Sequence, residues 1–335
     1  ARRPAWALAL AAVPVLALAA IAAVTLSGGD GDGGGGDTTA PATTAAPDGP
    51  AVAGTVARTV RVSGRPNGVV ASGGLVWVLR SRSNRVLALR APNGQRASFR
   101  PRVGSFPAAM AAGFGRLWVG NQGQSQLVAI GLRSHRRIGA AIQLPTEGKV
   151  VGVAAGERGV WVGIRGDPGR IVRVSPGERR IVKEIPMPDG VQDLAVGEGA
   201  VWVIGRRSNT VTRVDVASGE MRAINVGADP AGIAIGGHAV WVANSGDDTV
   251  TRVDAGSLVT RVIGVGDGPY RIAAGDDVVW VANRNESTLT RIDPETNRAV
   301  ADPVEVASNP FALDVSGSRV WVTSPPDSTV QRIDF

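Results

Sequence analysis

The sequence predicts an all-β fold, a seven-bladed β-propeller with four-stranded blades. A hydrophobic-Trp-Val tripeptide recurs every 39 to 43 residues along most of the chain. A fixed period of this length is typical of repeat arrays. Short stretches rich in Val, Ile and Thr, bounded by Gly, Asp and Ser, lie between the tryptophans and predict strands. The repeat contains seven of the eight tryptophans: Trp77, Trp118, Trp161, Trp202, Trp241, Trp280 and Trp321.

The fifth repeat shows the strand pattern of one blade. Its four predicted strands are residues 230–235, 239–243, 249–254 and 258–263. Four antiparallel strands in each of seven such units predict a propeller. In the first repeat, the dipeptide Asn93-Gly94 predicts a two-residue hairpin turn between the third and fourth strands.

The two ends of the repeat region predict how the ring closes. Residues 55–62 resemble a fourth strand without a blade of their own, and the last repeat ends at Phe335 after its third strand. We expect the N-terminal strand to complete the last blade and so to cover a free sheet edge. The tryptophans are expected to pack between blades, since each buries about 150–250 Å². A ligand-stacking aromatic stripe is the alternative.

The N-terminal segment predicts a membrane anchor. Residues 5–26 carry no charge, and a helix of that length spans about 33 Å, enough for a bilayer core of about 30 Å. Arginines in residues 1–4 predict a cytoplasmic N-terminus by the positive-inside rule. The Gly/Asp/Thr/Ala/Pro-rich residues 27–54 predict a flexible, disordered linker. The propeller, residues 55–335, would then lie outside the cytoplasmic membrane of a bacterium.

The membrane-anchor interpretation has two alternatives, a cleavable signal peptide and a buried soluble helix. The apolar stretch could be a cleavable signal peptide, although such regions are usually shorter. The chain opens on Ala1, and we therefore expect it to be the C-terminal part of a longer protein.

Composition constrains the chemistry. The chain has no cysteine, which excludes disulfides and Cys-ligated metal sites. Its formal charge is +7, and Lys149 and Lys183 are the only lysines. The arginine content fits either codon usage in a GC-rich genome or a basic surface that attracts anionic polymers. Nucleic acid is not expected as a partner of an extracytoplasmic domain.

Residues 226–293 carry a family resemblance. Val240-Trp-Val-Ala-Asn244 is followed by Thr249-Val-Thr-Arg-Val-Asp254, and 279–293 repeat the pattern. This resembles the YVTN/YncE-like propeller repeat, which implies the fold but serves many functions. The order of anchor, spacer and propeller resembles the extracytoplasmic sensor half of bacterial receptor-type Ser/Thr kinases, whose kinase would precede Ala1.

Virginiamycin B lyase-like proteins are similar in repeat, and the resemblance implies a metal-dependent His and Glu site in them. This sequence has only His135 and His238, which we expect to be solvated loop or strand-end residues. Nucleophile-elbow, P-loop and zinc-protease motifs are absent from the sequence. We therefore expect no catalytic residues, cofactor or metal in the chain, with a propeller enzyme as the alternative.

A recurring Arg-x-Asp places an arginine two residues before an aspartate on the third strand, hence on the same strand face. We expect ion pairs at strand ends or turn acceptors rather than catalytic acids. The pairs are Arg213 with Asp215, Arg252 with Asp254, Arg291 with Asp293, and Arg332 with Asp334.

Function is expected where the repeat changes, because loops on a rigid scaffold carry binding residues. Two loop sets that open on one face of a propeller carry cationic and aromatic departures from the repeat. We expect this face to bind an anionic envelope polymer, a small ligand or a protein; a structural envelope scaffold is a further alternative. The candidate binding face comprises Arg80, Arg82, Phe106, Lys149, Arg165, Arg206, Arg207, Tyr270, Arg271, Arg284 and Phe311.

Overall fold

The computed structural model describes residues 53–205 and 207–335, which form seven antiparallel sheets. The predicted stub and membrane span, and all but the last two residues of the linker, lie outside the described residues. Within the described part, no helix is long and apolar enough to cross a membrane. The predicted seven-bladed, all-β propeller is confirmed.

The blades are numbered 1–7 in chain order, and the first strand of each lines a central channel. The strands are β2 (Pro66–Ser72), β3 (Leu75–Arg80) and β4 (Leu87–Arg90) in blade 1; β5 (Pro107–Gly113), β6 (Arg116–Asn121), β7 (Gln126–Gly131) and β8 (Ile142–Gln143) in blade 2; β9 (Lys149–Gly156), β10 (Gly159–Arg165), β11 (Gly169–Ser175) and β12 (Arg180–Met187) in blade 3; β13 (Asp193–Gly197), β14 (Ala200–Ile204), β15 (Thr210–Asp215) and β16 (Met221–Asn225) in blade 4; β17 (Pro230–Gly236), β18 (Ala239–Asn244), β19 (Thr249–Asp254) and β20 (Thr260–Gly264) in blade 5; β21 (Pro269–Ala274), β22 (Val279–Asn283), β23 (Thr288–Asp293), β24 (Arg298–Ala299) and β25 (Val304–Glu305) in blade 6; and β26 (Ala312–Val315), β27 (Arg319–Ser324), β28 (Thr329–Asp334) and β1 (Thr55–Arg61) in blade 7.

The ring closes as predicted. Strand β1 pairs antiparallel with β28, from Thr55 opposite Asp334 to Arg61 opposite Thr329. The last blade therefore takes three strands from the C-terminus and its outermost strand from the beginning of the propeller.

Two blades depart from four continuous strands. Blade 1 has three strands, and single bridges at Arg85 and Leu89 take the place of the fourth. In blade 6 the outer strand is divided into β24 and β25 on either side of Pro303, which has no N–H to donate. The predicted two-residue turn in the first repeat is wrong. The loop has four residues, 91–94, because Arg90 and Gln95 pair on either side of it. Arg90 N–H donates to Gln95 O, and Gly94 N–H donates to Arg90 O.

The tryptophans pack between blades, as predicted. All seven are at most 1 % exposed. Trp241 of blade 5 lies in one cluster with Val279 and Val281 of blade 6. At the closure, Trp321 of blade 7 packs with Val76 and Val78 of blade 1. The same arrangement recurs around the ring, so the tryptophans are the blade-to-blade core.

The Arg-x-Asp motif covers that core from the solvent side. Arg252 is the cross-strand partner of Trp241, and its guanidinium lies 5.7 Å from the ring centroid. Asp254 accepts from Ser257 N–H at 2.8 Å, and this hydrogen bond is the main cause of its lowered pKa. The predicted structural pairs are present at three of the four positions: Arg213–Asp215 at 3.1 Å, Arg252–Asp254 at 3.9 Å and Arg332–Asp334 at 2.8 Å. The fourth arginine, Arg291, lies over Phe335 instead.

Candidate functional site

The two predicted loop sets do open on one face. The first residue of an inner strand pairs with the last residue of the second strand, as in Pro66 opposite Arg80 and Lys149 opposite Arg165. Loops that precede first strands and loops that follow second strands therefore emerge at the same ends of the blades. We call this end of the propeller the mouth face.

Four residues of the candidate binding face form one cluster on blades 6 and 7. The Tyr270 and Phe311 rings lie 5.3 Å apart. The Arg284 guanidinium lies 4.6 Å from the Tyr270 centroid, and that of Arg271 lies 5.1 Å from it. Both arginines are thus in cation–π geometry. Arg284 donates through Nε to Asn309 Oδ1 at 2.6 Å, which fixes it over the ring.

Arg271 also reaches across the neighbouring blade. Its Nη1 donates to Asp193 Oδ2 at 2.6 Å and to Ala231 O at 2.8 Å. Asp193 belongs to blade 4, Ala231 to blade 5 and Arg271 to blade 6. Burial raises the pKa of Asp193, and the charge of Arg271 opposes that rise.

These two charged residues occupy the same place in the repeat, nine residues before the tryptophan of their blades. Between them, blade 5 has Gly232. A Cβ there would lie 2.6 Å from the Tyr270 carbonyl oxygen, so a side chain would collide with β21. The other blades have only Gly or Ala at this position: Gly68, Ala109, Gly152 and Ala312.

Three other predicted arginines are engaged within the protein. Arg207 makes a two-pronged ion pair with Asp167 at 3.0 and 2.7 Å and lowers the pKa of that carboxyl through these hydrogen bonds. Arg165 donates to Gln192 Oε1 at 2.5 Å. Arg80 donates to the carbonyl oxygens of Ser63 and Arg85. Of these three arginines, only Arg207 has its charge balanced by a carboxylate in these contacts.

A cavity of about 390 Å³ lies on the mouth face next to the cluster. Its walls come from blades 4, 5 and 6 and include Arg207, Asp229 and Tyr270. It is of the size that small ligands occupy.

The remaining members of the candidate face do not join the cluster. Arg82, Lys149 and Phe106 are exposed on blades 1, 3 and 2. Phe106 has a left-handed backbone with φ of 50°, unusual for a bulky residue. Arg206 lies outside the described residues.

The channel contains a residue that the sequence interpretation missed. It encloses about 490 Å³, and Asp314 of β26 lines it. Asp314 Oδ2 accepts from Ala71 N–H of blade 1 at 2.6 Å. Burial raises its pKa to about 6. An alignment of the repeats could have found it, because Asp314 stands seven residues before Trp321, where the other blades have Val70, Ala111, Ala154, Ala195, Ala234 and Ala273.

A second missed feature is the distribution of acidic residues. Residues 53–146, which include blades 1 and 2, contain 14 arginines and no Asp or Glu. Residues 147–335 contain 20 basic and 25 acidic residues. A count by repeat, rather than over the whole propeller, would have revealed this difference. None of the ion pairs in the described part involves residues 53–146.

Several of these arginines adjoin on the outer edge of blade 1 and on β1 beside it. Arg96 Nη2 donates to the Arg61 carbonyl and Arg85 Nη1 to that of Arg100, each at 2.7 Å. Arg85 also forms a bridge with Arg102. The charges of Arg100 and Arg96 contribute, after burial, to a lowered pKa of Arg80. We call this set the arginine surface: Arg58, Arg61, Arg85, Arg96, Arg100 and Arg102.

The two histidines lie away from the mouth face. His135 follows β7 and stacks on Phe99 at 3.8 Å between ring centroids. His238 is in the turn between β17 and β18, 3.3 Å from Glu198. In the described part, no group of three or more His, Cys, Asp or Glu residues could hold a metal ion.

Comparison with solved structures identifies other seven-bladed propellers. Virginiamycin B lyase from Staphylococcus aureus superposes with a TM-score of 0.73 at 16 % identity over 83 % of this chain and 98 % of its own. A streptogramin B lyase gives 0.71 at 16 % identity, covering 83 % and 96 %. Kuenenia stuttgartiensis hydrazine synthase gives 0.71 at 15 % identity, covering 82 % and 97 %. Likeness at such identity shows the fold alone. No protein-family model and no curated protein matches the chain.

Proposed function

We propose that this propeller is an extracytoplasmic binding module for an anionic polymer of the bacterial envelope. The observation that carries the proposal is the arginine surface, whose six arginines all come from residues 53–146, a stretch of the chain that contains no acidic residue. Arginine suits such a partner, because its planar guanidinium can bind a phosphate or carboxylate through two hydrogen bonds.

Codon usage does not account for this surface. A GC-rich genome replaces Lys by Arg, but it does not remove Asp and Glu from one third of a domain while the rest has 25. Like charges that adjoin without a counter-charge destabilise the folded state. An anionic partner would remove that repulsion, which supports a binding role.

The test is the affinity of the chain for a purified polyol-phosphate wall polymer, measured by titration at physiological ionic strength. The variant combines Arg58→Ala, Arg61→Ala and Arg102→Ala, whose side chains make no hydrogen bond or ion pair with the described residues. A matched control removes the same charge at three exposed arginines of blades 4, 5 and 6: Arg222→Ala, Arg261→Ala and Arg298→Ala.

We expect at least a tenfold loss of affinity in the first variant and less than a twofold change in the control. Salt should weaken wild-type binding, because the contacts are charge-based. Equal losses of affinity in both variants would mean that binding depends on net charge alone. That result would refute a specific binding surface. Tighter binding of duplex DNA than of the wall polymer would refute the proposed partner class.

The mouth face supports a second candidate function, the binding of a small anionic ligand. The observation that favours this function is the cluster of Tyr270, Phe311 and Arg284 beside a cavity. Among the described residues, Arg284 has no carboxylate within ion-pair distance. Arg284→Ala should abolish binding of an aromatic carboxylate such as benzoate, and unchanged binding would refute this site.

We further propose that residues 5–26 anchor the chain in the cytoplasmic membrane with the propeller outside. On this proposal the chain is YncE-like and serves as the sensor part of a longer protein such as a receptor Ser/Thr kinase, and is not itself an enzyme.

Because the chain has no cysteine, a single Ser63→Cys substitution can report membrane topology. A membrane-impermeant thiol reagent should label it in intact cells, and labelling only after lysis would refute the orientation. The coding sequence upstream of Ala1 tests the kinase proposal.

A further inference from the structure

The central channel is lined almost entirely by small or apolar residues. Its volume of about 490 Å³ lies within the range of about 300–1,000 Å³ that small-molecule sites occupy. The inner strands contribute Gly, Ala, Val, Ile, Leu and Met to its wall. Among the described residues, four polar side chains interrupt this wall: Asn67, Asp193, Arg271 and Asp314.

The charges in the channel do not balance. Asp193 is paired with Arg271 at 2.6 Å. For Asp314, the described residues provide no Lys, Arg or His within ion-pair distance, and its hydrogen bonds come from backbone N–H groups, with Ala71 at 2.6 Å. Asp314 is half-buried, and a carboxylate held against an apolar wall without a cation costs free energy. The channel therefore carries one uncompensated negative charge when this carboxyl is ionised.

Packing does not require this carboxylate. Six blades carry Ala or Val at the same repeat position, and their tryptophans are buried as deeply as Trp321.

We propose that the channel binds a small organic ammonium ion, with the Asp314 carboxylate as its counter-ion. An ammonium group supplies a positive charge and N–H donors for the Asp314 carboxylate, and the apolar wall suits its alkyl part. A divalent metal is disfavoured because it needs several oxygen ligands. This site is separate from the arginine surface and does not depend on the polymer proposal.

The strands around Asp314 determine its protonation. Strand β21 contributes Arg271, which is paired, and Tyr270; β27 contributes Arg319, which lies 3.9 Å from Asp334. Strands β2 and β22 contain no titratable residue. Burial therefore dominates and raises the pKa of Asp314 to about 6. Ammonium binding should weaken as the pH falls below that value.

The test uses propylammonium as the probe, with 1-propanol and propionate as neutral and anionic analogues of similar shape. Backbone amide shifts of Ala71 and Val315 are followed by NMR at pH 7.5 and 5.0. We expect saturable shifts with propylammonium only, and about a tenfold weaker affinity at pH 5.0, where about a tenth of the carboxyl is ionised.

Asp314→Asn keeps the acceptor for Ala71 N–H and should abolish propylammonium binding. Asp276→Asn is the matched control, because Asp276 is exposed in the turn between β21 and β22. Should Asp314→Asn fail to fold, the pH dependence and the analogues in the wild-type protein decide the question. Equal shifts with propanol, or binding that is the same at both pH values, would overturn the proposal.

Discussion

Arg271 and Asp193 join two blades that are not neighbours in the ring. The guanidinium of Arg271 in blade 6 passes the inner strand of blade 5 and donates to Asp193 of blade 4 at 2.6 Å. Gly232, on the inner strand of blade 5, allows the backbone of β21 to approach that strand closely. The same guanidinium lies against Tyr270 on the mouth face, so one side chain connects the channel with the candidate ligand cluster.

Replacement of Arg271 by Met should destabilise the protein by roughly 3 kcal/mol at pH 7.5, since it leaves a buried carboxylate without its partner. The pKa of Asp193 is already raised by burial and should rise further in the variant. A native pKa above the unfolded one means that stability falls as pH rises. The deficit should therefore shrink at pH 5, as measured by urea unfolding.

The control for this variant is Arg261→Met, an exposed arginine of β20. It should leave the free energy of unfolding nearly unchanged at both pH values. A deficit in Arg271→Met that does not depend on pH would contradict the assignment of the loss to Asp193.

The Asp314 carboxyl should make stability depend on pH. Its native pKa of about 6 exceeds the unfolded value of about 3.9, which corresponds to about 3 kcal/mol. This stabilisation is fully present below pH 4 and is lost as the pH rises through 6. The difference in free energy of unfolding between Asp314→Asn and wild type should therefore shift in favour of the variant between pH 4 and pH 7. A difference that stays constant over this range would contradict the raised pKa.

The tryptophans should contribute to stability and not to binding. Trp241→Ala removes a fully buried side chain from the contact between blades 5 and 6, which should cost about 3–5 kcal/mol. Polymer affinity of the folded variant should equal that of the wild type, because the arginine surface lies on blades 7 and 1. Loss of polymer binding by a folded Trp241→Ala protein would instead favour the alternative in which the tryptophans stack against a ligand.

Ring closure gives a prediction at the level of the whole fold. Deletion of residues 55–62 removes β1 and exposes the edge of β28. The truncated propeller should unfold or oligomerise through that edge, as measured by size-exclusion chromatography and circular dichroism. A stable, monomeric propeller after this deletion would contradict the role of β1.

The fold was predictable because residues that recur at a fixed spacing make the same packing contact in every blade. The spacing of the tryptophans gave the number of blades, and the unpaired strand at residues 55–62 gave the closure. The irregular outer edge of blade 1 was not predictable from Asn93-Gly94, since the dipeptide does not specify which strand residues pair around it.

The candidate site was predictable only in part. Tyr270, Arg271, Arg284 and Phe311 do meet, because repeat register places the loops at one end of the blades. Sequence could not show that Arg207 and Arg271 are paired with carboxylates, since Asp167 and Asp193 lie on blades 3 and 4, distant along the chain. Asp314 was missed because it lies within an inner strand, whereas the loops were the segments compared for departures from the repeat.

Residue-by-residue labelling of arginines tests the central claim most directly. An arginine-selective dicarbonyl reagent is applied to the chain with and without the polyol-phosphate wall polymer, and each site is quantified by mass spectrometry. The account predicts protection of Arg58, Arg61 and Arg102 by the polymer, with no protection of Arg222, Arg261 and Arg298, which are also exposed. Protection confined to the second set, or spread evenly over both, would contradict it.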